Sequence, residues 1–248
     1  MRYGAGDMRH DGRAFDQLRP CTIHPGFTRN ALGSALIETG NTRVICTASL
    51  DPKAPGWLQS GGWVTAQYSM LPGATHPRGR RDPGGRGKEI MRLIGRSLRA
   101  AVNLEALVDD DGPLSIVCDC DVIDADGGTR TASITGAYVA LQLAVDRLVE
   151  QGRLKASPIV SPVAAVSVGI IPHEGGLVPM LDLPYVEDSA AAVDLNVVQL
   201  HSGGIVEVQG TAEKQTFSRA ELNAMLDLAE GGISMLFEHQ AGVLEGRA

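Results

Sequence analysis

The sequence has few of the features that mark secreted, membrane-spanning or zinc-binding proteins. It has four cysteines in 248 residues, and no two of them form a Cys-x-x-Cys pair. This spacing argues against a zinc site and suits a reduced compartment. No apolar run approaches the roughly 20 residues of a membrane span, and the N-terminus has no apolar stretch typical of a signal peptide. We therefore expect a cytoplasmic protein without a membrane partner.

Familiar catalytic signatures are also missing. There is neither a Gly-x-Gly-x-x-Gly fingerprint nor a Gly-x-x-x-x-Gly-Lys-Ser/Thr loop, so the common nucleotide-binding motifs are absent. No Ser/His/Asp or Cys/His arrangement can be read. The six histidines are scattered without metal-ligand spacing: His10, His24, His76, His173, His201 and His239.

Charge is distributed unevenly along the chain. The formal net charge is −7, which argues weakly against a nucleic-acid binder. Between His76 and Arg99, however, seven arginines and Lys88 stand against only Asp82 and Glu89, a local net charge of +6. The remainder carries −13. Such segregation indicates a basic patch that faces a polyanion.

A glycine turn near the middle of the chain predicts an anion site. An apolar strand ends in acids, turns at Gly127-Gly128 and enters a helix at Thr129, Arg130 and Thr131. The free N–H groups and the positive dipole end of a helix start attract an anion, and the fork of Arg130 matches a phosphate. The alternative is a plain strand-to-helix turn capped by Thr129.

The basic segment divides into a loop and a helix. Pro72 to Gly87 is rich in Pro, Gly and Arg and predicts a loop. Residues 88–107 predict an amphipathic helix. Its basic stripe consists of Lys88, Arg92, Arg96 and Arg99. The stripe is either a solvated face or, in its N-terminal half with Arg92 and Arg96, a contact for RNA or phosphate.

Two aspartates further on form a candidate metal site. Asp188 and Asp194 are separated by a small, flexible run that begins at Ser189. Asp194 opens an apolar strand, where an unpartnered carboxylate is costly. Two such carboxylates together can hold a hard cation, typically Mg²⁺ with retained waters. The alternative is that Asp188 ends a turn and Asp194 marks a strand edge.

The order of predicted elements indicates an α+β protein with two similar halves. Strands flank the Gly40-Asn41 turn and occupy 63–71, 114–124, 163–171, 177–183, 193–200 and 204–209. Helices are predicted at 130–150 and 218–241, the latter with Ser218 and Glu221 at capping-box spacing. We expect one domain over 9–241, with halves of about 9–152 and 153–241 and flexible tails at 1–8 and 242–248.

Several motifs together resemble the bacterial ribonuclease PH family of phosphorolytic exoribonucleases. They cover roughly residues 9 to 240 in the family's order. They are Asp11-Gly12-Arg13, Leu18-Arg19-Pro20, Gly85-Arg86, Glu89-Ile90, Arg92 to Arg96, Ala125 to Gly136, Glu187 to Ala191 with Asp194, and Gln209 to Glu213.

The resemblance implies a fold, a reaction and an assembly. The fold has two βαβα-type halves related to domain 2 of ribosomal protein S5. The implied reaction trims the 3′ ends of tRNA precursors with orthophosphate, releases nucleoside 5′-diphosphates and is reversible. The implied assembly is a homohexamer built as a trimer of dimers.

The resemblance also implies roles for individual residues. The attacking orthophosphate would be bound by Arg86, Gly128, Thr129 and Arg130. The catalytic centre and its Mg²⁺ or Mn²⁺ would be held by Asp188 and Asp194. The RNA would be contacted by Arg78, Arg80 and Arg81. Gly87 and Asp124 depart from the family's commoner residues, and Asp124 would add negative charge near the phosphate.

Two alternatives to an active phosphorolytic enzyme are open from the sequence. One is an inactive RNA-binding ring subunit, which predicts loss of the acidic pair or of the phosphate arginines, and both are present. The other is a hydrolytic nuclease that uses the same metal pair and needs no phosphate.

Overall fold

The first half of the chain forms a five-stranded sheet with two helices on one face. The computed structural model describes residues 9–81, 84–213 and 216–246. The strand order is β1-β2-β3-β7-β4, and only the β4–β7 pair is parallel. These strands are β1 (Cys21–Pro25), β2 (Gly33–Thr39), β3 (Thr42–Leu50), β4 (Trp63–Met70) and β7 (Ser115–Asp124). The helices are α1 (Gly84–Ala100) and α2 (Thr129–Glu150), and β5 (Val108–Asp109) pairs with β6 (Gly112–Pro113) in a small hairpin.

The second half repeats this plan with a four-stranded antiparallel sheet. Its order is β11-β10-β8-β9. Its elements are β8 (Val163–His173), β9 (Gly176–Leu181), the single turn α3 (Tyr185–Asp188), β10 (Val193–Leu200), β11 (Ile205–Ala212) and α4 (Arg219–Leu244).

Helix α2 joins the two halves because its N-terminal half is buried on all sides. Every residue from Thr131 to Leu141 is buried. The helix packs on β2 and β3 of the first sheet and on β8 of the second. A helix without a polar face belongs inside a protein. One core therefore lies between the first sheet and helices α1 and α2, and a second lies between the other sheet and α4.

Most predicted elements are confirmed, and α4 starts as its capping box requires. The Ser218 side chain accepts from the Glu221 backbone, and the Glu221 carboxylate accepts from the Ser218 backbone. The helix runs through Leu244 and so extends into the segment expected to be a tail. The predicted tail at 1–8 and residues 247–248 lie outside the described residues. The division of the domain at about residue 152 stays a prediction.

The predicted bounds of the basic helix were wrong. We expected a loop as far as Gly87 and a helix over 88–107, whereas α1 begins at Gly84 and ends at Ala100. Glycines disfavour helix by propensity, but burial of the Ile90, Leu93 and Ile94 face stabilises the whole helix. Strand β1 was missed by the sequence analysis.

A tight contact between α2 and the first sheet gives a test of this packing. A Cβ atom on Gly136 would lie 2.7 Å from Ile37 Cγ2 and 2.9 Å from Cys46 Sγ. We expect Gly136→Ala to lower the free energy of unfolding by about 1–3 kcal/mol, as overpacking does. Urea unfolding followed by circular dichroism measures the change.

Gly231 of α4 is the matched control. Nothing lies within 4 Å of a Cβ atom placed there. Gly231→Ala should therefore raise stability by about 0.5–1 kcal/mol through helix propensity alone. Equal effects of the two substitutions would contradict the close α2–sheet contact.

Candidate active site

A cavity of about 420 Å³ opens where the two halves meet. It brings together most of the residues that the sequence assigned to the reaction. Both predicted carboxylates and all four predicted phosphate-binding residues line it: Arg86, Gly128, Thr129, Arg130, Asp188 and Asp194. The first four come from the starts of α1 and α2, and the carboxylates come from α3 and β10.

The glycine turn ahead of α2 has the geometry of an anion site. Gly127 and Gly128 have φ angles of 73° and 66°, which residues other than glycine rarely adopt. The N-cap of α2 is Gly128, which offers no side-chain hydrogen bond to the helix. Thr129 is therefore not the cap; its hydroxyl instead lies 2.9 Å from the Tyr68 hydroxyl. The helix start is left open toward the cavity, as an anion requires.

Arg86 adds a second helix start to the same cavity. Because α1 begins at Gly84, Arg86 lies in its first turn, and this turn contains no acidic residue. Both Arg86 and the neighbouring Gly87 line the cavity. No described residue accepts a hydrogen bond from the Arg86 guanidinium. A cation that is disfavoured by the dipole of its own helix start is stabilised by a bound anion.

Arg130 is held in place by side chains from β11 and α1. Its Nη1 donates to Gln209 Oε1 at 2.5 Å and lies 3.6 Å from Glu89 Oε1. Gln209 Nε2 in turn donates to Glu89 Oε1 at 2.5 Å. The guanidinium is therefore oriented before any ligand arrives. Gln209 and Glu89 belong to motifs of the resemblance, but no pattern in the sequence indicates that they contact Arg130.

The two carboxylates are poised to receive a cation. Burial raises the pKa of Asp194 to about 6, helped by the neighbouring Asp188, while Arg130 and Arg86 partly offset the rise. Burial likewise raises the pKa of Asp188 against the charges of Arg86 and Arg130. Asp194 Oδ1 is buried and has no hydrogen-bond partner among the described residues. An unpartnered buried carboxylate oxygen beside a second carboxylate fits a divalent cation.

The protein supplies few ligands for such an ion. No group of three or more His, Cys, Asp or Glu side chains in the described part of the chain could hold a metal. Asp188 and Asp194 would therefore bind it with waters or substrate oxygens completing its shell, as Mg²⁺ prefers.

The predicted RNA-binding arginines have different surroundings. Arg78, Arg80 and Arg81 are exposed, and Arg80 also lines the cavity. Arg92 is exposed on α1, whereas Arg96 Nε pairs with Glu207 Oε2 at 2.6 Å. The role of these five in RNA binding stays a prediction.

Arg99, the last member of the basic stripe, does not belong to a solvated or RNA-facing surface. Its guanidinium carbon lies 4.4 Å from the centroid of the Trp63 ring, and Nη1 donates to Val64 O at 2.9 Å. It therefore ties α1 to β4.

Asp124, whose effect on phosphate binding stays a prediction, lies close to an arginine of β3. It is outside the cavity lining, and its Oδ2 lies 3.7 Å from Arg43 Nη1. Asp124 is the partner of Arg43 in the pairing of β3 with β7, which places its carboxylate beside a positive charge.

The residues of the cavity lining that the sequence analysis missed include three polar side chains on strands: Tyr68, Ser167 and Asn196. Each stands on a strand, and only the pairing of strands brings it to the cavity. Nothing in the local sequence distinguishes them from core residues.

The cavity defines a class of protein, an enzyme that binds phosphate groups opposite a pair of carboxylates. Comparison with known proteins agrees. Residues 17–145 match the model of the 3′ exoribonuclease family, domain 1, and residues 161–232 match domain 2 of the same family. The chain belongs to the 3′ exoribonuclease family.

Curated relatives cover nearly the whole chain. A ribonuclease PH from Bacillus velezensis is 52% identical over 244 residues, which are 96% of this chain and 97% of the relative. A ribonuclease PH from Bdellovibrio bacteriovorus is 52% identical over 242 residues, 96% of each chain. The resemblance to the ribonuclease PH family and the predicted class of phosphate-dependent exoribonuclease are confirmed.

Solved structures share the fold at low identity. The Archaeoglobus fulgidus exosome with RNA bound to the active site matches with a TM-score of 0.78 at 23% identity, over 94% of this chain and 92% of that one. Rice (Oryza sativa) Rrp46 matches with a TM-score of 0.76 at 17% identity, over 95% and 100%. The predicted fold class is confirmed.

The raised pKa of Asp194 predicts that this residue destabilises the metal-free protein. The pKa of about 6 in the folded protein exceeds the ordinary value of 3.8. Ionisation of this carboxyl therefore lowers the free energy of unfolding as the pH rises from about 4 to 6. We expect Asp194→Asn to be more stable than the parent at pH 8 in chelator, by about 1–3 kcal/mol.

Urea unfolding at several pH values measures this difference. It should disappear below about pH 3, where the carboxyl is protonated in both the folded and the unfolded state. A lower stability of Asp194→Asn at pH 8 would contradict the unpartnered carboxylate.

Proposed function

We propose that the chain is a phosphorolytic 3′-to-5′ exoribonuclease that trims the 3′ ends of tRNA precursors and can also run in reverse. The observation that carries the proposal is the convergence of Arg86, Arg130 and an uncapped helix start with Asp188 and Asp194 in one cavity. This arrangement can hold an anion and a cation side by side.

The reaction needs charge neutralisation more than an activated side chain. Orthophosphate is already a competent nucleophile near neutral pH, but it and the RNA are both anions. The N–H groups after Gly128, the Thr129 region and the forks of Arg86 and Arg130 would hold the phosphate and reduce its repulsion from the diester. Fixing the two reactants in line supplies much of the rate.

The bond changes balance without water. A phosphate oxygen attacks the phosphorus of the terminal phosphodiester, and the bond from that phosphorus to the preceding 3′ oxygen breaks. The electron pair stays on the 3′ oxygen, which takes up a proton. A nucleoside 5′-diphosphate leaves and the RNA is one nucleotide shorter. Because the diphosphate retains the bond energy, the reverse reaction adds nucleotides.

Asp188 and Asp194 would hold Mg²⁺ or Mn²⁺ at the scissile diester. The unpartnered Asp194 Oδ1 supports this assignment. When bound, such an ion neutralises charge on the diester and on the leaving oxygen. The two aspartates fix its place relative to the phosphate arginines.

RNA would approach over the exposed arginines at the cavity rim. Arg78, Arg80 and Arg81 are exposed on the segment that leads into α1, and Arg92 continues the positive surface along that helix. Backbone phosphates are recognised by such charges without sequence reading. The archaeal exosome that shares this fold has RNA bound to its active site, which supports the same ligand here.

Assembly and location belong to the proposal as well. We infer a homohexamer, a trimer of dimers, from the family resemblance. We place it in the cytoplasm because the four cysteines are free thiols. Within the residues that the structure describes, no helix is both long and apolar enough to cross a bilayer.

Product identity distinguishes the proposal from its alternatives. Purified protein is incubated with Mg²⁺ and an RNA labelled in its 3′-terminal nucleotide, with and without orthophosphate. We expect nucleoside diphosphate only when phosphate is present. Monophosphate released without phosphate would indicate hydrolysis, and RNA binding without product would indicate an inactive ring subunit.

Two substitutions should separate the two halves of the site. Asp194→Asn should abolish turnover, because it removes the negative charge that would bind the metal. It should leave RNA binding and assembly intact, because the volume of the side chain hardly changes. Arg86→Ala should mainly raise the phosphate concentration for half-maximal rate, by about tenfold or more for a lost charged hydrogen bond. Initial rates at varied phosphate measure both.

Each substitution has an outcome that removes its assignment. Turnover retained in Asp194→Asn excludes this carboxylate from the mechanism. An unchanged phosphate requirement in Arg86→Ala excludes Arg86 from the phosphate site.

A further inference from the structure

The phosphate turn and the acidic turn come from different halves of the chain, and Asp126 stands where they meet. Asp126 immediately precedes Gly127-Gly128. Its Oδ1 accepts a hydrogen bond of 3.2 Å from the backbone N–H of Tyr185. Tyr185 is the first residue of α3, and Asp188 is the last. One side chain thus links the phosphate turn to the turn that carries a metal ligand.

This hydrogen bond supplies what α3 lacks. The first N–H groups of a helical turn have no partner inside it. Pro184, the N-cap, makes no side-chain hydrogen bond. An anionic acceptor at this end is favourable. The backbone N–H of Asp188 donates to Pro184 O at 2.9 Å, so Asp188 belongs to the same helical turn.

Asp126 is itself held by residues outside α3. Its backbone N donates to Thr42 Oγ1 at 2.9 Å, and its carbonyl accepts from Arg19 Nη1 at 2.5 Å. Its Oδ2 accepts from the Asn41 side chain at 3.1 Å. The anchor therefore belongs to the first sheet and its phosphate turn, and α3 is oriented against it.

The two turns touch with no space between their backbones. A Cβ atom on Gly127 would lie 2.4 Å from Leu183 O and 2.8 Å from both Pro184 C and Tyr185 N. A change in the angle at this contact is therefore transmitted along one helical turn to Asp188.

We propose that Asp126 is a positioning residue, whose carboxylate orients the turn bearing Asp188 against the phosphate turn and so places the metal relative to bound orthophosphate. The inference rests on the proposed function. Asp126 lies outside the set of side chains that line the cavity, so it acts through α3 and not by contact with the substrate.

Asp126→Ala tests the proposal by three separate measurements on the full chain. Binding of Mn²⁺, followed by the electron paramagnetic resonance signal of the free ion, should weaken about tenfold, as loss of an outer-shell partner does. The kcat of phosphorolysis should fall about tenfold to a hundredfold for a small misplacement. Binding of inorganic phosphate without RNA, measured by calorimetry, should be unchanged because the phosphate turn keeps its backbone contacts.

Two neighbouring substitutions are the controls. Asp126→Asn keeps an oxygen that can accept from Tyr185 and should restore most of the Mn²⁺ affinity and kcat. Asn41→Ala removes only the exposed partner of Oδ2 and should leave both unchanged. Failure of Asp126→Asn to restore Mn²⁺ affinity would count against the hydrogen bond as the cause.

The same hydrogen bond can be removed from its donor. Tyr185→Pro deletes the N–H, and proline is tolerated at the first position of a helical turn. Pro184 has ψ of 165°, which suits a residue before proline. Relative to Tyr185→Ala, which loses the same side chain but keeps the N–H, Tyr185→Pro should weaken Mn²⁺ binding and leave phosphate binding unchanged. If Asp126→Ala does not fold, the comparison of Tyr185→Pro with Tyr185→Ala tests the hydrogen bond instead.

The possible failures are distinguishable. Unchanged Mn²⁺ affinity in both Asp126→Ala and Tyr185→Pro would overturn the positioning role. A lower melting temperature with normal Mn²⁺ affinity and kcat would show a merely structural contact and overturn it too. A parent without phosphorolysis, in which Mn²⁺ affinity still depends on this bond, would refute the proposed function while the positioning role stands.

Discussion

A buried ion pair between Arg19 and Asp182 is the contact on which the site depends. The two residues are 5% and 3% exposed, and three donors of Arg19 bind the carboxylate: Nη2 at 2.7 Å, Nε at 3.0 Å and the backbone N at 2.8 Å. Burial favours the neutral acid, but the hydrogen bonds and charge of Arg19 hold the pKa of Asp182 below its ordinary value. Removing one partner of such a pair costs about 3–5 kcal/mol.

The Arg19–Asp182 pair connects the glycine turn with the segment that leads into α3. Its Nη1 reaches the carbonyl of Asp126, beside the glycine turn, while Asp182 stands just ahead of α3. Arg9 and Arg13 donate to the Asp182 carbonyl, and Arg9 also pairs with Glu187, the neighbour of Asp188. The N-terminal segment therefore holds the two halves together beside the cavity.

The contacts of Arg9, Arg13 and Arg19 hold an unfavourable arrangement of charge in place inside the cavity. Burial and the charge of Asp188 raise the pKa of Asp194, and no described residue accepts a hydrogen bond from the Arg86 guanidinium. Groups held in this way are oriented for the ligands that relieve them, so little reorganisation is needed when phosphate and metal arrive. The stability lost in the cavity is offset by the two cores, one between the first sheet and helices α1 and α2 and the other between the second sheet and α4.

The sequence predicted the parts of the site that depend on local chemistry. The Gly127-Gly128 turn, Arg130 and the Asp188/Asp194 pair can each be recognised from a few neighbouring residues, and all of them line the cavity. The start of α1 was missed because tertiary packing overrode three weak helix formers. Gln209, Tyr68 and the contact of Asp126 with Tyr185 could not be foreseen, since they depend on which strands and turns become neighbours.

The reverse reaction tests the central claim most directly, because only phosphorolysis in reverse adds a nucleotide from a nucleoside diphosphate and releases orthophosphate. Purified protein is given Mg²⁺, a short RNA and ADP without orthophosphate, and both RNA length and released phosphate are measured. We expect the RNA to grow at its 3′ end and one orthophosphate to appear for each nucleotide added. RNA that is shortened, with no extension and no phosphate released from ADP, would contradict a phosphorolytic site.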